Sequence, residues 1–253
     1  MSDSDSDDDI ALRDQDAHAI QVASRALTLW QSFPTREPRL IVLIEGPVLH
    51  HQGFNTAEAS RTLHYGVVEA DATVASEPLQ TIREHAADRS NQRMPTTPLR
   101  IESATLVQCT FSTDRGPIPL PAWRIEAVHV IGPMWVLEAK ALDRCWLRHM
   151  SPEGQQPGSH ILQEARTRDG ECELVVAFIG GSDNLFWYEG AVVESRTAVS
   201  VVPLARFVTR LPPGTAISAQ GFMREITVKL ESPLGGRVLV NHDGSPVEVL
   251  MNT

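Results

Sequence analysis

The chain has 253 residues, of which 42% are hydrophobic and 21% are charged, and its formal net charge is −10. This length suffices for one large domain or two small ones, whose core needs neither a disulfide nor a metal for stability. The acidic balance and the lack of a run of Lys and Arg argue against nucleic acid, or an anionic membrane surface, as the main partner.

The N-terminal region predicts an acidic tail followed by a helix. Residues 1–16 are expected to be disordered, because residues 1–9 hold five aspartates and no base, and little apolar surface is available to offset ordering. A helix is predicted over residues 17–33, with Asp16 as its N-cap. Four apolar residues recur there at helical spacing: Ile20, Ala23, Leu27 and Trp30.

The next segment mixes short elements. The apolar run at residues 39–48 predicts a buried strand that closes on Gly-Pro. Residues 55–66 favour a short helix with Asn55 or Thr56 as N-cap and Gly66 at its C-terminal end. The polar connection at residues 69–98 has room for another short helix around residues 79–87.

From Leu99 onward the pattern is typical of β-strands, apart from a polar linker at residues 143–170. At residues 225–231 apolar and polar side chains alternate, as in a half-buried strand. The expected fold class is α+β: a mainly antiparallel, sandwich-like β-sheet with an N-terminal helix and short peripheral helices. Residues 17–253 are expected to form a single domain, in which a helix-containing part (17–98) could pack on a β-rich part (99–253).

Three segments hold candidate binding residues. "TDRGPIPLPAW" contributes Asp114, Arg115 and Trp123. Its Arg-Gly-Pro predicts a turn, and its alternating prolines at 117, 119 and 121 restrict hydrogen bonding to one side of the strand. A structural turn is the favoured interpretation, and a ligand or partner loop is the alternative.

The second segment is "FIGGSDNLFWYEG", with Asp183, Phe186, Trp187 and Tyr188. Three aromatic residues in a row cannot all face the same way, so they indicate either core packing or a rim that binds a partner or a sugar. The third is "VVESRTAV", in which Glu194 and Arg196 indicate a strand-to-strand turn or the floor of a pocket.

Metal and cofactor chemistry has weak support. The adjacent His50 and His51, with His64 on the following helix, are the best candidates for a metal site. However, they match no established ligand motif, and solvent-exposed or satisfied histidines are the simpler interpretation. The three cysteines form no CxxC pair, and no nucleotide-binding loop or catalytic motif is present, so no cofactor is expected.

Together, "CTFSTDRGPIPLPAWRIEAV", "AVVESRTAVSVVP" and "GFMREITVKLESPLGGRVLV" resemble a group of β-rich actinobacterial proteins that often occur as secreted proteins or lipoproteins. The resemblance covers about 110 residues, and the group has no established activity to transfer. This chain differs because it shows no signal peptide and no lipobox cysteine. It also has no apolar run long enough to span a membrane, so a cytoplasmic location is expected.

The function expected from these patterns is a non-catalytic interaction or small-ligand-binding protein, which could also be a homo-oligomer. The alternative is a metal-dependent hydrolase that uses His50, His51 and His64. A further hypothesis is an assembly or immunity-type protein whose acidic tail engages a basic partner. Whether the three candidate segments are adjacent in space depends on the tertiary structure.

Overall fold

A computed structural model of the chain describes residues 4–35, 37–50, 52–86, 95–147, 162–208 and 220–252, with the backbone alone for residues 4–13, 15 and 252. The described helices are α1 (Ser4–Thr28), α2 (Ala57–His64), α3 (Ser76–Glu84) and α4 (Ala139–Leu142). The described strands are β1 (Ile41–Val42), β2 (Val48–His50), β3 (Val68–Ala70), β4 (Leu99–Thr113), β5 (Gly116–Ala127), β6 (Met134–Leu137), β7 (Cys145–Trp146), β8 (Leu162–Arg168), β9 (Glu173–Gly180), β10 (Phe186–Glu194), β11 (Ala198–Phe207), β12 (Phe222–Lys229), β13 (Val238–Val240) and β14 (Val249–Asn252). The chain is α+β and rich in mostly antiparallel strands, as predicted.

The chain divides into two compact units. Unit 1 contains Met1–Leu40, Asp114–Gly116 and Arg148–Thr253, and unit 2 contains Ile41–Thr113 and Pro117–Leu147. This division differs from the predicted parts, because β4, β5 and β6 belong with the helices that precede them. Residue 98 is therefore no boundary, since the hydrogen bonds of β4 join it to β3 and β5.

Unit 1 is built from two sheets with the orders β10-β11-β13 and β12-β9-β8-β14. Both sheets supply side chains to one hydrophobic core, which includes Phe178 of β9, Val199 of β11 and Leu239 of β13. Two sheets that share a core in this way form a sandwich. Helix α1 packs on β10 and β11, whose other face contributes to that core.

Helix α1 corrects the predicted N-terminal tail. It begins at Ser4 instead of residue 17, so residues 4–16 are helical and not disordered. Four aspartates fall in its first two turns, where the positive end of the helix dipole favours negative charge. Asp16 is not an N-cap, because it lies inside the helix and its carboxylate pairs with Arg206 of β11.

The buried face of α1 was only partly predicted. Ala23, Leu27 and Trp30 are buried, whereas Ile20 is exposed. Helical geometry ends at Thr28, and turns that include the buried Phe33 follow it.

The alternation predicted near the C-terminus is confirmed. Val228 and Leu230 are buried in the core of unit 1, and Ile226 packs against it. Strand β12 is antiparallel to β9, with Ile226 opposite Val176 and Val228 opposite Leu174. The predicted polar linker at 143–170 is partly wrong, because β7 and β8 fall within it.

Unit 2 is organised around a five-stranded sheet with the order β2-β6-β5-β4-β3. Helices α2 and α3 contribute Leu63 and Ile82 to a cluster on one face of this sheet, where they join Val136 of β6. The next residue, Leu137, belongs to a second cluster with Phe111. Neighbouring residues of a strand point to opposite faces, so the sheet has an apolar cluster on each side.

Most of the predicted helix ends in unit 2 are confirmed. Thr56 caps α2 by accepting a hydrogen bond from the Ala59 backbone N–H, and Gly66 follows the helix with φ of +62°. Helix α3 begins earlier than predicted. The run at 39–48 is not one strand. It contains β1 and only the first residue of β2, because Gly46 turns the backbone between them with φ of +89°.

An Asn-His-Asp-Gly turn at residues 241–244 links β13 to β14, the last strand of unit 1. The Asn241 side-chain oxygen accepts from the Leu162 backbone N–H at 2.8 Å, and the Gly244 carbonyl accepts from the Trp30 indole N–H at 2.9 Å. His242 is a buried residue of this turn, and desolvation lowers its pKa from 6.5 although the neighbouring Asp243 raises it.

Ser200 of β11 generates a stability prediction. Its hydroxyl is fully buried and has no hydrogen-bond partner among the described residues. Because a desolvated hydroxyl without a partner is costly, Ser200→Ala should raise the free energy of unfolding by roughly 1 kcal/mol. Hydrogen exchange of the β11 backbone amides measures this change.

Ser195→Ala is the matched control, since the same atom is removed from a satisfied hydroxyl. The Ser195 hydroxyl accepts from the Ala198 backbone N–H at 3.0 Å and donates to the Ala198 carbonyl at 3.0 Å. Its loss should lower stability by about 1 kcal/mol. A loss of stability in Ser200→Ala as large as in Ser195→Ala would contradict the prediction.

His242 generates a prediction about pH. Above pH 6.5 the imidazole is neutral in both the folded and the unfolded chain, so it adds no pH dependence there. As the pH falls below 6.5 the unfolded chain binds the proton first, and the folded state loses stability. His242→Asn should therefore reduce the acid sensitivity of unit 1. Urea unfolding of both proteins at pH 7.5 and pH 5.5 checks this, and an identical loss in both would refute it.

Candidate functional site

Asp114 is a structural residue at the tip of the β4–β5 hairpin. Its side chain is completely buried and accepts two hydrogen bonds from the Arg39 guanidinium, one of them from Nη1 to Oδ1 at 3.2 Å. Its backbone carbonyl accepts from the Val249 N–H at 3.1 Å. The carboxylate is therefore bound within unit 1 and not presented to a ligand, which agrees with the structural turn favoured from the sequence.

Arg115 is also bound within unit 1. Its Nη2 atom donates to the carbonyl oxygens of Gly235 at 2.7 Å and Arg237 at 2.6 Å. Burial is the main cause that lowers the pKa of Arg115 to about 10, with Asp114 raising it and Arg39 lowering it. The guanidinium remains charged at neutral pH and holds the turn before β13.

Glu194 is connected to the same turn. Its Oε1 accepts from the Glu231 backbone N–H at 2.6 Å, and its Oε2 accepts from Arg237 Nη1 at 2.5 Å. The structure thus brings Asp114, Arg115 and Glu194 together in one network, which runs through Arg237. Every acid in that network is paired with an arginine.

Arg196 lies apart from this network, exposed in the turn between β10 and β11. The turn is closed by Ser195, whose backbone N–H donates to the Ala198 carbonyl at 2.9 Å. The "VVESRTAV" segment is therefore a strand-to-strand turn, as the simpler interpretation held.

Phe186 and Tyr188 pack at one end of the sandwich of unit 1. The Tyr188 ring lies edge-on to Phe178, with centroids 4.9 Å apart, and Phe186 lies 5.0 Å from Phe207. The Tyr188 hydroxyl accepts from the Gly181 backbone N–H at 2.6 Å. Both rings are half-buried, so they combine core packing with partial exposure.

The two glycines before β10 are needed for this packing. A Cβ on Gly180 would lie 2.7 Å from the Tyr188 hydroxyl oxygen, and a Cβ on Gly181 would lie 2.5 Å from the Phe186 ring. Side chains at these positions would displace the aromatic rings. The Gly-Gly pair therefore serves close packing.

Arg224 fixes the loop that connects β9 and β10. Its Nε and Nη2 atoms donate to the Gly181 carbonyl at 2.9 and 2.7 Å, and its Nη1 pairs with Asp183. The Arg224 guanidinium carbon also lies 5.3 Å from the centroid of the Phe222 ring. Sequence reasoning missed Arg224, because its partners are distant in the chain.

Trp187 points to the opposite face of β10 from Phe186 and Tyr188, and 48% of it is exposed. Its cross-strand partner is Arg206, which forms ion pairs with Asp16 of α1 and with Glu189. The hydrogen bond to Asp16 is the main cause that raises the pKa of Arg206. The exposed indole of Trp187 therefore lies beside the ion pairs that Arg206 forms.

Several exposed apolar side chains share this end of unit 1, where β9 and β11 finish and β10 and β12 begin. We call them the aromatic end: Ile179, Phe186, Trp187, Phe207, Val208, Phe222 and Met223. Except for the half-buried Phe186, each is between 37% and 58% exposed. Such clustering on a surface is a feature of interaction sites.

Trp123 belongs to unit 2 and is not part of the aromatic end. Its indole Nε1 donates to Glu77 Oε1 of α3 at 3.1 Å, and the same oxygen accepts from the Ala139 backbone N–H at 2.8 Å. It packs against the cluster under α2 and α3. Its observed contacts are structural.

The predicted histidine cluster gains no support. His50 is exposed and lies edge-on to Phe54 at 4.8 Å, while His64 lies edge-on to Tyr65 at 5.0 Å. His51 lies outside the described residues. Across the described part of the chain, no group of three or more His, Cys, Asp or Glu side chains is arranged to hold a metal ion.

No protein-family model, curated protein or solved structure matches this chain. None of the helices in the described ranges is long and apolar enough to cross a membrane. The function must therefore be inferred from the chain's own geometry.

The Arg39–Asp114 pair generates a prediction. Asp114→Ala leaves a largely buried guanidinium without its partner, so the free energy of unfolding of unit 1 should fall by about 3 kcal/mol. Glu225→Ala removes the exposed partner of Arg166 and should change the free energy of unfolding of unit 1 by less than about 0.5 kcal/mol. Hydrogen exchange of the β14 backbone amides measures both changes in the free energy of unfolding. Equal effects of the two substitutions would contradict a stabilising role for the buried Arg39–Asp114 pair.

Proposed function

We propose that this protein is a non-catalytic interaction protein that binds a partner protein through the aromatic end of unit 1. The observation that carries the proposal is the concentration of exposed Trp, Phe and Met side chains on four neighbouring strand ends. Trp187 is 48% exposed and Met223 is 58% exposed. Aromatic residues and Met are enriched in protein interfaces, and Trp is prominent among the residues that dominate binding energy.

Hydrogen bonds and ring contacts order the support beneath these side chains. The Tyr188 hydroxyl and the Arg224 guanidinium both bind the backbone of Gly181, and the Phe186 ring packs at a tilt against Phe207. A surface that is already ordered loses little conformational entropy on binding, so more of the contact energy appears as affinity. This favours a preformed docking surface.

Two exposed charged groups lie beside the apolar side chains. Asp183 and Glu189 are exposed, and each pairs with an arginine whose own side chain is largely buried, Arg224 and Arg206 respectively. An apolar centre with a polar rim is the usual anatomy of an interface. The rim pairs can orient a partner without adding much affinity.

The carboxylates singled out from the sequence also favour a non-catalytic role. Asp114, Asp183 and Glu194 are each ion-paired with an arginine. The oxygen atoms of these three carboxylates are engaged by arginine side chains of the same unit, which supports a structural use for them.

The test begins with photo-crosslinking in native cells. A photoreactive phenylalanine analogue at position 187 or 207 should capture one partner of defined mass, and the analogue at position 29 should not. Leu29 is the matched control because it is a 49% exposed apolar residue of unit 1, in the turn that follows α1. Absence of a product at 187 and 207, or the same product at 29, counts against the proposal.

Affinity between the purified proteins then decides the role of the surface. Truncating a dominant interface residue costs about 2 kcal/mol, so Trp187→Ala should weaken binding roughly 30-fold while Leu29→Ala leaves it unchanged. Isothermal titration calorimetry measures both. An unchanged Kd for Trp187→Ala together with Phe207→Ala would exclude the aromatic end as the binding surface.

A further inference from the structure

Strand β4 in unit 2 is long and is buried only near its ends. It spans Leu99–Thr113, and its first residues pack in the cluster under α2 and α3. Near the other end, Phe111 belongs to the cluster on the opposite face of the sheet. Between them, no side chain of residues 102–110 is fully buried, and Leu106 is 49% exposed.

Among the described residues, the outer edge of β4 has no pairing strand along this central part. Strand β3 pairs only with Leu99–Ile101, and the Ile44 backbone N–H donates to the Ser112 carbonyl at the other end. Within the described ranges, no strand pairs with residues 102–111 on the side away from β5. The backbone donors and acceptors of that edge can therefore pair with another chain.

The chemistry of this edge is unusual for an exposed strand. Residues 103–113 contain no charged residue, no proline and no glycine. Natural edge strands are commonly short, or carry charges that prevent pairing with other molecules. Strands β2, β3, β13 and β14 have three or four residues, and β10 and β12 carry charged side chains such as Glu189 and Arg224.

We infer that the edge of β4 at residues 102–110 pairs antiparallel with the same edge of a second copy, joining the two five-stranded sheets of unit 2 into one. An uncharged edge offers nothing for a charged partner strand to recognise, whereas a second copy supplies a strand of equal length and neutrality. The net charge of −10 opposes association of two copies elsewhere on the surface, but no like charges meet along this edge.

A two-fold axis perpendicular to the sheet places each residue opposite one on the same face. With the axis at Leu106, the two leucines lie opposite each other and cover their exposed surface. Glu102, the only charged residue of the segment, then lies opposite Thr110. The interaction uses unit 2 and does not depend on the aromatic end of unit 1.

The test measures the mass of the full chain by sedimentation velocity, with reductant present to prevent disulfides through Cys109. The wild type should have twice the 27.8 kDa chain mass and dissociate on dilution. Leu106→Lys places two cations opposite each other and should weaken the dimer at least tenfold. Ile131→Lys is the matched control, because Ile131 is a 40% exposed apolar residue of unit 2 outside β4.

Three results would overturn the inference. The wild type could remain at 27.8 kDa at every concentration, or Leu106→Lys could dimerise as the wild type does. Met223→Lys could dissociate the dimer while Leu106→Lys does not, which would place the contact at the aromatic end. If Leu106→Lys does not fold, hydrogen exchange of the concentrated and the diluted wild type decides, because only the dimer protects the amides of residues 102–110.

Discussion

The buried ion pair between Arg39 and Asp114 is the constraint on which unit 1 depends. A carboxylate with no exposed surface needs a charged, hydrogen-bonded partner, and the Arg39 guanidinium supplies two donors. Next to this pair, the Arg115 guanidinium donates a hydrogen bond to the backbone carbonyl of Arg237, and the Arg237 side chain pairs with Glu194. Residues from four distant parts of the sequence are thereby fixed around the start of β13 and the end of β10.

The aromatic end of unit 1 follows from a different constraint, the close approach of backbone and rings. Gly180 and Gly181 leave room for Tyr188 and Phe186, and Arg224 holds the carbonyl of Gly181. Once these contacts are made, alternation along β10 decides which rings are covered. Phe186 and Tyr188 turn toward the core, so Trp187 must face outward.

The two surfaces proposed for association differ in their physical basis. The aromatic end offers large side chains that can be desolvated by a partner, and its specificity would come from shape. The edge of β4 offers backbone donors and acceptors, and its specificity would come from strand register and the absence of charge. They belong to different units of the chain.

Several features of the fold could be predicted from local sequence. Thr56 as the cap of α2, Gly66 after it, and the alternation around Val228 all depend on neighbours within a few residues. The proline half of β5 was also predicted correctly to pair on one side, since its register with β6 begins only at Ala122. The helical state of residues 4–16 was not predicted, because this acidic segment holds little apolar surface. The pair between Asp16 and the distant Arg206 was not predicted either.

The candidate site shows the same difference between features that local sequence predicts and features that depend on distant contacts. The sequence by itself determined that Phe186, Trp187 and Tyr188 could not all face one way, because side chains alternate along a strand. It also determined that the segments around Asp114 and Arg196 are turns, because glycine, proline and serine favour turns locally. Only the tertiary structure decided that Asp114 and Glu194 are bound by Arg39 and Arg237 while Trp187 is exposed. Those outcomes depend on burial and on partners far apart in the chain, which local propensity does not encode.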